Sequence, residues 1–201
     1  MEKKPEHFQS PDHYNENLLN WDILIYRVPT EPARKRTYIW RQLKKLGVVY
    51  LQHGVCILPD SQEHMAALRN IVSKVVEFEG EATLLKTISE SQEWQQDIIQ
   101  RFHDAREQER VELRELAEQL HNDITLYNEH GPLKYSLLDR LEERLEQCKR
   151  DLAQIKEYDY FDKGANGDLE QYIAAIDLQY QDFCQKVWSH HDVKVSSGEA
   201  K

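Results

Sequence analysis

The sequence predicts an α+β protein whose two parts differ in kind. In residues 21–90, short apolar runs alternate with amphipathic stretches in the order βαββαβ. From Ser91 to Trp188, the only helix breakers are Gly131-Pro132 and the turn at residues 164–167. Because 201 residues contain only seven Gly and six Pro, we expect few turns and long helices.

The first strand and the first helix are defined by the residues at their ends. The apolar run 23–28 stops at Pro29, which is typical of a buried strand. Thr30 can cap the helix that follows, and Glu31 would then lie in its first turn, where the helix dipole favours a negative charge. The basic helix is therefore predicted at residues 33–46, before a glycine.

The remaining elements of this part form a hairpin, a helix and a last strand. The β-rich runs 48–52 and 55–58 flank His53-Gly54, a dipeptide typical of a tight turn. Asp60 and Glu63 resemble a capping box. The helix after them carries apolar residues at spacings of three and four, namely Met65, Leu68, Val72, Val75 and Phe78. A strand at 82–88 completes the order of a ferredoxin-like fold, with strands one and three expected in the centre of the sheet.

Three long helices are predicted in residues 91–190, with narrow apolar stripes at spacings that average near 3.5. One stripe includes Leu113, Leu116, Leu120 and Ile124, and the next includes Leu137, Leu141, Leu145 and Cys148. The third, capped by Asp168, includes Leu169, Ile173, Ile176, Tyr180, Phe183 and Val187. This pattern predicts a coiled-coil-like arm or bundle with apolar surface left for dimerisation. Residues 1–20 and 191–201 lack periodicity and are predicted to be flexible tails.

The net charge of -10 argues at first against a nucleic-acid partner. The charge is unevenly distributed, however, because residues 1–90 hold 12 basic and 12 acidic side chains and the whole acidic excess follows them. Within the neutral part, Arg27 to Lys45 contains seven basic residues and one acid, Glu31. Such an asymmetry indicates a surface for polyanions on one part of the molecule. We find no signal peptide and no membrane-spanning run, and three scattered cysteines indicate no disulfide framework, so we expect a cytoplasmic protein.

The basic helix carries its cations in an ordered pattern. Arg34, Tyr38, Arg41 and Lys45 fall at i, i+4, i+7 and i+11, so they share one face. A second, apolar side that can pack on the sheet holds Trp40, Leu43 and Leu46. A helix anchored in this way can follow a phosphate backbone or read base edges in a groove. A merely solvated basic face stays open as the simpler interpretation.

Catalytic and metal sites are not indicated. Cys56 falls in a predicted central strand, and Cys148 and Cys184 lie on or beside apolar stripes, as core residues do. The His53-x-x-Cys56 spacing has no second ligand pair. Carboxylates are numerous but follow solvated helix faces. We therefore expect no catalytic residues, no metal and no cofactor.

Two blocks of the sequence resemble a known family. They are Trp21 to Gly47, including Pro-Thr-Glu-Pro and Leu-Lys-Lys-Leu-Gly, and Tyr50 to Asp60, including Gly-Val-Cys-Ile-Leu-Pro. Together they resemble the N-terminal domain of the ChrB family, and a looser likeness extends over most of residues 20–188. That family is understood as chromate-responsive transcriptional regulators. The resemblance therefore implies double-stranded DNA as partner and a link to chromate resistance.

From charge, we place the DNA contacts in the matching block. They are Arg27, Arg34, Lys35, Arg36, Tyr38, Arg41, Lys44 and Lys45. Arg34 and Arg36, near the start of the helix, are suitable ligands for chromate or another oxyanion. Family members continue into a second domain associated with sensing, which this sequence does not include. A homodimer would present two basic helices to two half-sites of one duplex.

Two other functions stay open. The predicted fold also resembles that of small nucleases among CRISPR adaptation subunits and VapD-type toxins, which typically place an acid at the end of the first strand. Tyr26-Arg27 holds that place here and Asp22 lies at the beginning of the strand, so the pattern favours a regulator over a metal-dependent nuclease. The third possibility is a protein-binding helical scaffold.

Overall fold

The computed structural model describes residues 18–162 and 164–196, with side chains up to residue 191. Its elements are β1 Asn20–Arg27, α1 Ala33–Lys45, β2 Val49–Gln52, β3 Val55–Pro59, α2 Gln62–Glu77, β4 Glu81–Ile88, α3 Gln92–His130, α4 Tyr135–Glu157 and α5 Gly167–Ser196. The predicted α+β class is confirmed. Most of the two predicted tails lies outside the described residues, although β1 already begins at Asn20 and α5 extends to Ser196.

The chain forms two compact units. The first contains the chain up to Lys44 together with Val48–Ile99, and the second contains Lys45–Gly47 and the chain from Gln100 onward. The long helix α3 therefore begins in the first unit and continues in the second.

The first unit is built on a four-stranded antiparallel sheet in the order β2-β3-β1-β4. The two most apolar strands, β1 and β3, are the central strands of this sheet. Leu24 of β1 pairs with Cys56 of β3 and Leu84 of β4, so these three side chains share one face of the sheet. Leu24 and Cys56 are buried in the core.

Two details of α2 differ from the prediction. Ser61 is the N-cap, since its hydroxyl oxygen accepts a hydrogen bond of 2.9 Å from the backbone N–H of His64. Asp60 does not cap the helix, because its carboxylate accepts a hydrogen bond of 2.6 Å from Lys86 instead. The buried stripe contains Ile71 where we expected Val72.

The second unit has one continuous apolar core shared by α3, α4 and α5. All six residues predicted for the stripe of α5 are buried. In α3, Leu113, Leu120 and Ile124 are buried as predicted, but Ala117 occupies the core in place of Leu116, which is 49% exposed. In α4, Leu138 is buried in place of Leu137. Within the described residues, none of the helices combines the length and apolarity that crossing a membrane requires.

Buried charges also hold the second unit together. The Arg106 side chain is 3% exposed, and its guanidinium lies 4.3 Å from the ring centre of Tyr158. Arg106 also donates a hydrogen bond of 3.4 Å to the carbonyl oxygen of Gly47, which has a φ of +60°. Arg110 forms an ion pair of 3.0 Å with the buried Asp159. These cations are therefore committed to internal contacts and are not available to a partner.

Candidate nucleic-acid interface

The first turn of α1 breaks a local rule of helix design. The helix begins at Ala33, the first residue of the predicted range, but Glu31 therefore precedes it and the first turn contains no acid, contrary to our expectation for Glu31. It contains Arg34, Lys35 and Arg36 instead, although the helix dipole disfavours cations at an N-terminus. Within the described residues, Arg34 and Arg36 form no ion pair that would compensate for this, and a local rule broken in this way is typical of a functional site.

One side of α1 presents cations to solvent. Arg34, Arg41 and Lys45, which we call the basic face, are all exposed. Within the described part of the chain, none of the three forms an ion pair. Tyr38 lies beside them, 40% exposed, with its ring edge-on to Phe78 at 5.7 Å. The basic face therefore offers unneutralised positive charge, as contact with phosphates requires.

Lys35 lies on another side of the helix and is already engaged. Its ammonium group is 3.6 Å from the carboxylate of Glu79 and donates a hydrogen bond of 3.3 Å to the carbonyl oxygen of Phe78. A cation held by two partners within the chain is a weaker candidate for DNA contact than the basic face.

The remaining side of α1 lines a cavity of about 650 Å³, which we call the Trp40 cavity. It is lined by Tyr26, Arg27, Val28, Arg36, Trp40, Tyr50, His53 and Gly54. Trp40 does not pack into the core as predicted, because it is 49% exposed, whereas Ile39 and Leu43 of the same helix are fully buried. The ammonium group of Lys44 lies over the Trp40 ring, 5.6 Å from its centre.

The hairpin turn explains why there is room for this cavity. Gly54 has a φ of +75°, and a Cβ there would lie 2.5 Å from the carbonyl oxygen of Tyr26, so only glycine fits. The backbone N–H of Tyr26 donates a hydrogen bond of 2.7 Å to the Gly54 carbonyl oxygen. Since position 54 has no side chain, the hydroxyl groups of Tyr26 and Tyr50 reach each other across β3, at 3.3 Å. Burial raises the pKa of both phenols, so both stay neutral at physiological pH.

The structure divides the predicted contact residues between these surfaces. Arg34, Arg41 and Lys45 lie on the basic face, and Arg27 and Arg36 line the cavity. Of the two arginines expected to bind an oxyanion, only Arg36 is part of a cavity wall.

Four residues that line the Trp40 cavity were not predicted from the sequence as site residues. They are Tyr26, Trp40, Tyr50 and His53. Strand alternation could have indicated that the two tyrosines share a face, but the approach of α1 to the hairpin is a tertiary contact that no spacing reveals.

The cysteine thiols are not prepared for catalysis. Cys56 is 1% exposed, and burial raises the pKa of its thiol to about 12. Burial also raises the pKa of Cys148. A thiol that stays protonated at neutral pH is a poor nucleophile.

The acid considered for a nuclease is inaccessible. Asp22 is 0% exposed, and burial followed by the neighbouring Asp60 raises its pKa, while Lys86 acts in the opposite direction. Among the residues that the structure describes, no group of three or more His, Cys, Asp or Glu side chains could hold a metal ion.

Comparison with known proteins identifies the family of the chain. A family model described as "Protein ChrB, N-terminal" matches residues 36–194, which include most of both compact units. No curated protein matches the chain, and no solved structure does. The matched region begins within α1 and covers about four fifths of the sequence. The chain therefore belongs to the ChrB N-terminal family.

Proposed function

We propose that the protein is a DNA-binding transcriptional regulator linked to chromate resistance, which contacts duplex DNA through the basic face of α1. The observation that carries this proposal is the alignment of Arg34, Arg41 and Lys45 on one exposed helix side, with no ion pair within the described residues. Membership of the ChrB N-terminal family gives the biological context. In this proposal the first unit is a ferredoxin-like domain and the second is a coiled-coil-like helical bundle.

The dimensions of the basic face suit a duplex. Lys45 is the eleventh residue after Arg34, which corresponds to about 16 Å along a helix. A major groove about 12 Å wide admits one α-helix. Cations at both ends of this face can then reach phosphates, while Arg41 lies between them and can approach base edges.

We also propose that two chains bind together, each presenting its α1 to one half-site. Most of the apolar stripes of the described helices are buried in the bundle of a single chain, which leaves less surface there for the dimer contact that we expected from the sequence. Ile25 and Leu85 of the sheet are further candidates, because they are 42% and 45% exposed. Leu85 pairs with Ile23, two residues from Ile25, so both exposed side chains lie on the same face of the sheet. Sedimentation of wild type and Ile25→Lys tests this surface, and an unchanged dimer in the variant would exclude it.

Binding to a labelled duplex, taken from the region upstream of the protein's own gene, tests the main proposal. We expect Arg34→Ala with Arg41→Ala to weaken binding strongly. A charge-matched control, Arg140→Ala with Arg150→Ala, removes two exposed cations from α4 and should bind like the wild type. Equal affinity of the two folded double variants would refute the role of the basic face. Absence of any DNA binding at low salt would instead support a protein-binding scaffold.

A further inference from the structure

The Trp40 cavity has features that contact with a duplex does not use. It combines two guanidinium groups, Arg27 and Arg36, with an imidazole, His53. Neither arginine forms an ion pair within the described residues, and none of the side chains that line the cavity there is acidic. An anion would therefore meet only positive or neutral groups.

The same cavity has aromatic walls. Trp40, Tyr26 and Tyr50 line it, and the hydrogen bond between the two phenols fixes their positions. Trp40 is half-exposed, and an indole left partly in water provides a surface on which a flat ring can stack. A small inorganic anion would use the cations and leave these walls empty.

Cations next to aromatic walls select a flat aromatic ring that carries an anionic group. A nucleotide has this chemistry, with a base that stacks on aromatic side chains and a phosphate that arginine binds through paired hydrogen bonds. The volume of about 650 Å³ is within the range of about 300–1,000 Å³ found for small-molecule sites.

We propose that the Trp40 cavity binds a nucleotide, with its base against Trp40 and the two tyrosines and its phosphate between Arg27 and Arg36. This site lies on a different side of α1 from the basic face, and the proposal does not depend on duplex binding. The nucleotide can be a free molecule or an unpaired nucleotide of a strand, since both present the same base and phosphate.

Calorimetric titration of the full chain with adenosine 5′-monophosphate, inorganic phosphate and a short single-stranded oligonucleotide separates these sources. Binding of the monophosphate well above that of inorganic phosphate supports a site for the free nucleotide. Binding of the oligonucleotide alone, with the effects of substitution described below, assigns the site to an unpaired nucleotide. If neither the monophosphate nor the oligonucleotide binds, the proposal is overturned. It is also overturned if phosphate and the monophosphate bind equally and the oligonucleotide does not bind.

Substitutions locate the binding. We expect Trp40→Ala to weaken it about 5- to 150-fold, the loss associated with one stacked base. Trp188→Ala is the matched control, because Trp188 is 56% exposed on α5 and far from the cavity in sequence. Arg36→Gln, an exposed position, gives a second test that does not perturb the core. Unchanged binding in both folded variants, Trp40→Ala and Arg36→Gln, would overturn the proposal.

The basic face gives an independent comparison. Arg34→Ala with Arg41→Ala should leave nucleotide binding unchanged even where duplex binding is lost. Nucleotide binding without any duplex binding would refute the proposed regulator function alone. Duplex binding without nucleotide binding would refute this inference alone.

Discussion

Replacing Gly54 by alanine tests whether the hairpin turn supports the wall of the Trp40 cavity. The residue has a φ of +75°, and the new Cβ would lie 2.5 Å from the carbonyl oxygen of Tyr26. A left-handed conformation costs an L-residue about 1–2 kcal/mol. Relieving the contact would also weaken the hydrogen bond between Tyr26 and Gly54, worth about 0.5–1.5 kcal/mol net. We expect the free energy of unfolding of the first unit to fall by about 2–3 kcal/mol.

Urea unfolding followed by tryptophan fluorescence measures this change, because Trp21, Trp40 and Trp94 all belong to the first unit. Gly167→Ala is the control: no atom lies within 4 Å of its Cβ position, and it begins α5. That change should be neutral or stabilising by up to about 1 kcal/mol, the gain in helix propensity. A loss below about 0.5 kcal/mol for Gly54→Ala, within the usual range of surface substitutions, would refute the reasoning about the turn.

Three further predictions concern the cores. The raised pKa of Asp22 means that the folded state binds this proton more tightly than the unfolded chain does, so the stability present below its ordinary pKa of 3.8 is lost as pH rises through the folded value. Asp22→Asn, which cannot ionise, should therefore gain stability relative to the wild type in urea unfolding as the pH rises above 3.8, and a constant difference would contradict this. Thiol labelling of the native protein should modify the partly buried Cys184 first and Cys56 only after unfolding, so early labelling of Cys56 would exclude its buried position. Ile176 is 1% exposed, so Ile176→Ala should lower the free energy of unfolding by about 2–5 kcal/mol. Leu178 is 64% exposed, so Leu178→Ala should change it by less than about 0.5 kcal/mol. Similar thermal midpoints for the two variants would mean that the buried and exposed faces of α5 are wrongly assigned.

The order of elements could be read from the sequence because each element has local causes. Proline and glycine end the strands, and apolar spacings of three and four mark the helices. The errors arose where two neighbouring positions compete for one core site. Leu116 is the more apolar residue by type, but the geometry of α3 directs Ala117 into the core, where a small side chain lets the helices approach.

The site was harder to predict than the fold. The common side of Arg34, Arg41 and Lys45 follows from helical spacing, and all three are exposed; their contact with DNA stays a prediction. Trp40 was assigned to the core because its side chain is large and apolar. It lines a cavity together with Gly54, which follows fourteen residues later in the chain. The wall of the Trp40 cavity is formed by residues of β1, α1 and the β2–β3 hairpin. No local sequence pattern predicts that these three elements contact one another. Net charge was equally uninformative, because the unpaired cations that matter lie on one side of one helix.

The dependence of duplex affinity on salt tests the central claim most directly. Each phosphate neutralised by a cation adds about 0.9 to the slope of log Kobs against log salt. Loss of Arg34 and Arg41 should therefore reduce the magnitude of that slope by about 1 for each bound chain, because Arg34 reaches a phosphate whereas Arg41 approaches base edges. The control that lacks Arg140 and Arg150 should keep the slope of the wild type. Equal slopes for the wild type and the Arg34→Ala, Arg41→Ala variant would contradict the claim that the basic face of α1 holds the duplex.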